Sequence, residues 1–168
     1  MPKLKIALFL FLLGSLGCLK ERFDMLTLER KNFNGNEIRT DGYYYAFSKT
    51  STGESLGTIF FLYKNGVFLY LGSPKAAVIS DLEQYIRQHN TTTGIPTDRE
   101  SWGVFQIEGN QMSIERWLIT SGGKIPAKVF QGQILNDTTF KMELFSTIET
   151  WKFRPFAPKP DSTNAYVK

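Results

Sequence analysis

The chain has 168 residues, 42% hydrophobic and 14% aromatic, with 20 basic and 16 acidic side chains, one histidine and one cysteine. That length fits one domain with a sizeable core. A balance this even does not give the concentrated basic face that nucleic acid requires, and one cysteine excludes a disulfide within the chain.

The first 17 residues have the three parts of a secretory signal: basic Lys3 and Lys5, eight apolar residues from Ile6 to Leu13, and small residues at Gly14, Ser15 and Gly17. The apolar run is too short to cross a ~30 Å hydrocarbon core as a helix, which takes ~20 residues. Gly17 directly before Cys18 resembles the lipobox of bacterial lipoproteins, in which the cysteine sulfur receives a diacylglycerol. The resemblance implies lipidation at Cys18 and a chain anchored in a bacterial cell envelope, at the outer membrane, on its periplasmic face or at the cell surface. The alternative is an ordinary cleaved signal that leaves Cys18 as a free thiol. Loss of residues 1–17 removes two lysines and no acids, leaving 18 basic against 16 acidic groups, or +2.

On the lipobox resemblance, residues 18–37 are the lipidated N-terminus and a tether. Within them, Leu19, Phe23 and Leu26 recur at helical intervals, which predicts a short N-terminal helix or tether over 19–33. A β domain is expected over 38–156. Its eight candidate strands are 40–49, 57–64, 67–72, 101–108, 111–119, 126–135, 138–145 and 148–156. One helix, 75–89, falls between the third and fourth, with Ala77, Ile79 (or Val78), Leu82 and Ile86 along one face. The tail 157–168 carries Pro158 and Pro160 and cannot pair as a central strand. Successive hairpins without room for crossover helices mean an antiparallel meander. Eight such strands favour closure into an up-and-down barrel, which removes exposed edges.

The turns set the register. Asn65-Gly66 as a two-residue loop puts Phe61, Tyr63, Phe68 and Tyr70 on one face and Phe60, Leu62, Leu69 and Leu71 on the other. A strand pair apolar on both faces needs a cover, for which the helix and the N-terminal segment are the candidates. Gly109-Asn110 pairs Ile107 with Met112, Phe105 with Ile114 and Gly103 with Arg116 on the inner face, leaving Glu115 among the outer polar residues. A three-residue loop at 136–138 aligns Ile134 with Phe140 and Gly132 with Met142, and Trp151 and Phe153 complete the inner wall.

The segments RTDGYYY (39–45), LYKNGV (62–67), WGVFQIEGNQM (102–112), VFQGQILNDTTF (129–140) and WKFRPFAPKPDS (151–162) together resemble the lipocalin-like (calycin) β-barrels found in lipoproteins of the Bacteroidetes type. Gly42-Tyr43-Tyr44 stands where that family opens its first strand with Gly-x-Trp, and Arg154 matches its arginine near the end of the last strand. The resemblance implies a small apolar or amphipathic ligand inside the barrel.

Arg116 is the one charge on the inward set, and an unpaired buried guanidinium is costly. Below an aromatic mouth of Tyr43, Tyr45 and Trp102 it resembles the way fatty-acid-binding barrels hold a carboxylate. The alternative has Arg116 at a barrel end, paired with Glu115, Glu149 or solvent, in a structural or interaction module whose barrel is filled. Residues 53–57, GESLG, match the Gly-x-Ser-x-Gly nucleophile elbow formally, but Ser55 precedes no helix, and His89 lies in a polar run at a helix end. Alternation also puts Glu143 outside, away from Glu149, so the sequence gives no catalytic assignment. One histidine, one cysteine and no calcium-loop spacing of acids point to no metal site or cofactor.

Overall fold

In a computed structural model that describes residues 24–90, 94–121, 125–144 and 147–168, eight antiparallel strands close into an up-and-down barrel. They are β1 (Gly42–Lys49), β2 (Ser55–Leu62), β3 (Val67–Gly72), β4 (Trp102–Glu108), β5 (Gln111–Trp117), β6 (Ala127–Asn136), β7 (Thr139–Leu144) and β8 (Thr147–Pro155). Tyr44 opposite Phe153 closes the ring between β1 and β8. The helix α1 (Ile79–Gln88) lies between β3 and β4, as the sequence predicts. It starts four residues later than expected: Lys75 bridges to Leu56, and Asp81 accepts the N–H groups of Ala77 and Val78 at the first turn.

Two of the three hairpin registers match the expectation from alternation. Gly103 pairs with Arg116 and Phe105 with Ile114, while Gly132 pairs with Met142 and Ile134 with Phe140. At the second of these, Asn136 pairs with Thr139, so the odd residue is taken up as a bulge at Leu135. The β2–β3 hairpin corrects the third. Gly66 has φ of 79° and donates to Tyr63 O, Tyr63 donates to Val67 O, and the loop is three residues long. Phe60 therefore faces Tyr70, Phe61 faces Leu69 and Leu62 faces Phe68. One extra loop residue exchanges the two faces of β3 relative to β2.

That register divides the apolar residues into two cores. Phe60, Leu62, Phe68, Phe105, Phe140 and Trp151 lie inside the barrel. Tyr43, Phe61, Leu69, Trp102, Val104 and Trp117 lie outside it, in a core shared with Leu82 and Ile86 of α1 and with Phe156 and Val167 of the tail. The tail is held there by Tyr63 Oη, which donates to Pro160 O at 2.9 Å, and by Lys159 Nζ, which donates to the carbonyls of Thr40 and Leu62.

The expected N-terminal helix is corrected over the described part of its range. Residues 24–33 run as an extended strap, with Leu26 and Leu28 against the outer core. Glu115 explains the difference. It is buried on the outer face, and its carboxylate accepts from Thr27 N (2.7 Å), Thr27 Oγ1 (2.9 Å) and Leu28 N (2.6 Å), drawing two backbone donors outward to the barrel wall. Trp117 Nε1 donates to Asp24 O, Gln106 Nε2 to Glu29 O, and Phe33 N to Lys64 O. The strap thus runs from the end of β5 across β4 to the β2–β3 turn. Cys18 and the expected signal lie outside the described residues.

A half-hollow barrel and its candidate ligand cavity

The two ends of the barrel interior differ. Toward the β2–β3, β4–β5 and β6–β7 turns it is filled by rings: Phe60 lies 4.4 Å from Trp151 and 5.2 Å from Phe68, and Phe140 lies 5.0 Å from Tyr44. The strap's continuation seals this end. Ile38 is buried there, Phe33 packs on Phe105, and Tyr44 Oη donates to the carbonyls of Arg39 (3.0 Å) and Asp137 (3.2 Å).

Toward the opposite end, where the β1–β2 turn and the β5–β6 and β7–β8 connections lie, a cavity of about 360 Å³ remains. Phe60, Ile114, Phe130, Met142 and Trp151 form its apolar floor and walls, and Thr58, Tyr70, Ser73, Arg116, Thr147 and Glu149 bring polar groups to its rim. Hydrogen bonds of 2.8 and 2.9 Å join the hydroxyls of Thr58, Ser73 and Tyr70 into a chain.

Arg116 reaches the cavity because β5 alternates from Met112 through Ile114. Its partner Gly103 allows a close approach, since a Cβ there would lie 2.2 Å from Glu115 O and 3.0 Å from Arg116 Cβ. The guanidinium lies over the Tyr70 ring, 4.1 Å from its centroid, and Nε reaches Trp117 O at 3.4 Å. Burial lowers its pKa, against the opposing influence of Tyr70 and Glu100. None of the ion pairs among the described residues involves Arg116. Glu115 is engaged by the strap on the far side of the sheet. Glu149 shares the cavity, and burial raises its pKa, favouring the neutral acid. The Trp151 ring forms part of the cavity wall, and its Nε1 is buried without a hydrogen-bond partner among the described residues. An apolar chamber with a cation and a carboxyl group at its rim can hold a molecule with a greasy body and a polar head.

Of the residues singled out from sequence, Arg116 is in this cavity; Tyr43, Tyr45 and Trp102 are not. Tyr44 is the inward residue of its run, so Tyr43 and Tyr45 face out. Tyr43 packs on Phe61 and Phe156 in the outer core, and Tyr45 packs on Phe47. The parity that turns Gly103 inward turns Trp102 outward, where Nε1 donates to Pro96 O at 2.9 Å. Tyr70 occupies the place expected of them, hidden from sequence reading by the one-residue error at the β2–β3 loop. Alternation along β8 from the inward Trp151 was the available signal for Glu149 in the cavity.

GESLG has a structural account. Gly53 takes φ of 84° in the β1–β2 turn, and a Cβ on Gly57 would lie 2.4 Å from Leu82 Cδ2, where α1 crosses β2. His89 Nδ1 lies 3.1 Å from Tyr85 O of its own helix, and its ring packs on that of Tyr85. No hydrogen bond links His89 to Ser55 among the described residues. Compared with protein-family models, curated proteins and solved structures, the chain matches none.

Proposed function

We propose that the chain is a lipid-anchored protein of the bacterial envelope whose lipocalin-like barrel binds a small amphipathic ligand, with no catalytic role. The observation that carries this reading is Arg116: a half-buried guanidinium with no ion pair among the described residues, at the rim of a 360 Å³ apolar chamber. An anionic head on Arg116 offsets its desolvation, and the apolar body lies against Ile114, Phe130 and Met142. The volume exceeds the ~300 Å³ at which small-molecule pockets begin. The rival reading, a filled barrel serving as an interaction module, fits the sealed half of the interior and leaves the hollow half without a purpose. Anchoring rests on Cys18 and the signal-like residues before it.

Titration with a fluorescent long-chain fatty acid tests the reading. Saturable binding is expected, weakened about tenfold or more in Arg116→Ala, as for loss of one charge-assisted contact. Equal binding by the variant overturns the role of Arg116, and no binding by either chain overturns the amphiphile.

A further inference from the structure

We infer that the open end of the barrel is a docking surface for a lipid bilayer, so that the cavity mouth faces the membrane. The inference rests on reading Cys18 as the anchor, and two independent features of the fold support it.

The first is where the strap begins. Trp117 Nε1 holds Asp24 O at 2.7 Å, and Trp117 lies between Arg116 and Leu118, both cavity residues. From Asp24 the strap leads away from the mouth, through Glu115 and Gln106 to Lys64 at the sealed end. Only residues 19–23 separate Asp24 from Cys18. A chain of that length spans about 22 Å at most, so an acyl group on Cys18 stays within that reach of Asp24, which is held at the mouth.

The second is the distribution of exposed apolar side chains. Six large ones are exposed among the described residues: Met25, Phe47, Val78, Ile119, Leu135 and Ile148. Met25 adjoins Asp24, Ile119 follows Leu118, and Ile148 lies between the cavity residues Thr147 and Glu149. Phe47 and Val78 share a groove beside the β1–β2 hairpin and the start of α1, also at the mouth. Leu135, at its bulge, is alone at the sealed end. Scattered exposed hydrophobics are ordinary, but five at one end of a barrel, around the end where an anchor emerges, suit insertion among lipid headgroups.

The test uses the full chain purified from membranes, with single cysteines at Ile119→Cys or Ile148→Cys, 68% and 69% exposed, and at Asn110→Cys at the sealed end. Each is labelled with an environment-sensitive fluorophore and mixed with phosphatidylethanolamine/phosphatidylglycerol vesicles containing spin-labelled lipid. Intact mass reports acylation of Cys18; if Cys18 is free, the same probes are placed in Cys18→Ser. Probes at 119 and 148 are expected to be quenched about twofold or more, and the probe at 110 to be unchanged. An acylated chain bound to vesicles with all three probes unquenched, or with 110 quenched as strongly, overturns the docking surface and leaves the anchor intact. An unacylated chain still quenched at 119 and 148 overturns the anchor and upholds the surface; one quenched nowhere overturns both. A dimer in vesicle-free solution with the 119 probe shielded assigns the surface to a second copy and overturns the inference.

Discussion

Lys159 and Arg116 are both cations drawn out of water, and the protein treats them differently. Arg116 rests on one aromatic ring at the edge of a chamber. Lys159 donates to two main-chain carbonyls, lies 4.1 Å from the centre of the Tyr63 ring, and fastens the tail to β2. Burial lowers the Lys159 pKa from 10.5 to about 8, so between those values the unfolded chain binds more protons than the folded one. Stability therefore rises with pH from about 8. The buried tyrosines 43, 44 and 63 oppose this above pH 10, where the unfolded chain loses phenolic protons that the folded chain keeps. Urea titrations at stepped pH are expected to show a maximum between about pH 8 and 10, and Lys159→Met to remove the rise while keeping the later fall. A flat profile for the parent chain contradicts a depressed Lys159.

At the scale of elements, the strap depends on one carboxylate. Glu115 satisfies three donors from Thr27 and Leu28 while itself 2% exposed, so neither side is easily replaced by water. Glu115→Ala is expected to cost about 2–4 kcal/mol in denaturant unfolding, with amide exchange accelerated along residues 26–30, and Glu115→Gln to lose less. Unchanged exchange there would mean that Leu26 and Leu28 hold the strap by packing alone. This element was not legible in sequence, because spacings of three and four residues in a short charged segment fit a helix as readily as an extended run. What decides is a partner 88 residues away. The β2–β3 register failed for a local reason: Asn-Gly favours a two-residue loop, whereas here Gly66 closes a three-residue one. Where polar and apolar residues alternate cleanly, as in β4–β5 and β6–β7, the pattern itself fixed the pairing. The β2–β3 pair, apolar on both faces, offered no such check.

At the scale of the molecule, the sequence revealed the closed barrel because the strands are short and every connection but β3–β4 and β5–β6 is brief. It also revealed that one strand pair needs covering on its outer face. Three segments from different parts of the chain supply that cover: strap, helix and tail. The division of the interior was not legible. Whether Phe60, Phe140 and Trp151 fill a barrel or floor a cavity depends on how the rings tilt, and neither composition nor alternation encodes that. Arg116 was visible as an inward charge; Glu149 and the Trp151 ring joined it in one cavity lining only once the barrel closed. The central claim is that the hollow half holds a small amphiphile with its anionic head on Arg116. Native mass spectrometry of the full chain purified from its own host's membranes tests it most directly. The parent chain is predicted to carry a small amphiphile that is lost on denaturation, separable from any covalent acyl mass, and depleted in Arg116→Ala. A parent chain with no retained ligand, or the same ligand retained equally by Arg116→Ala, would contradict the claim.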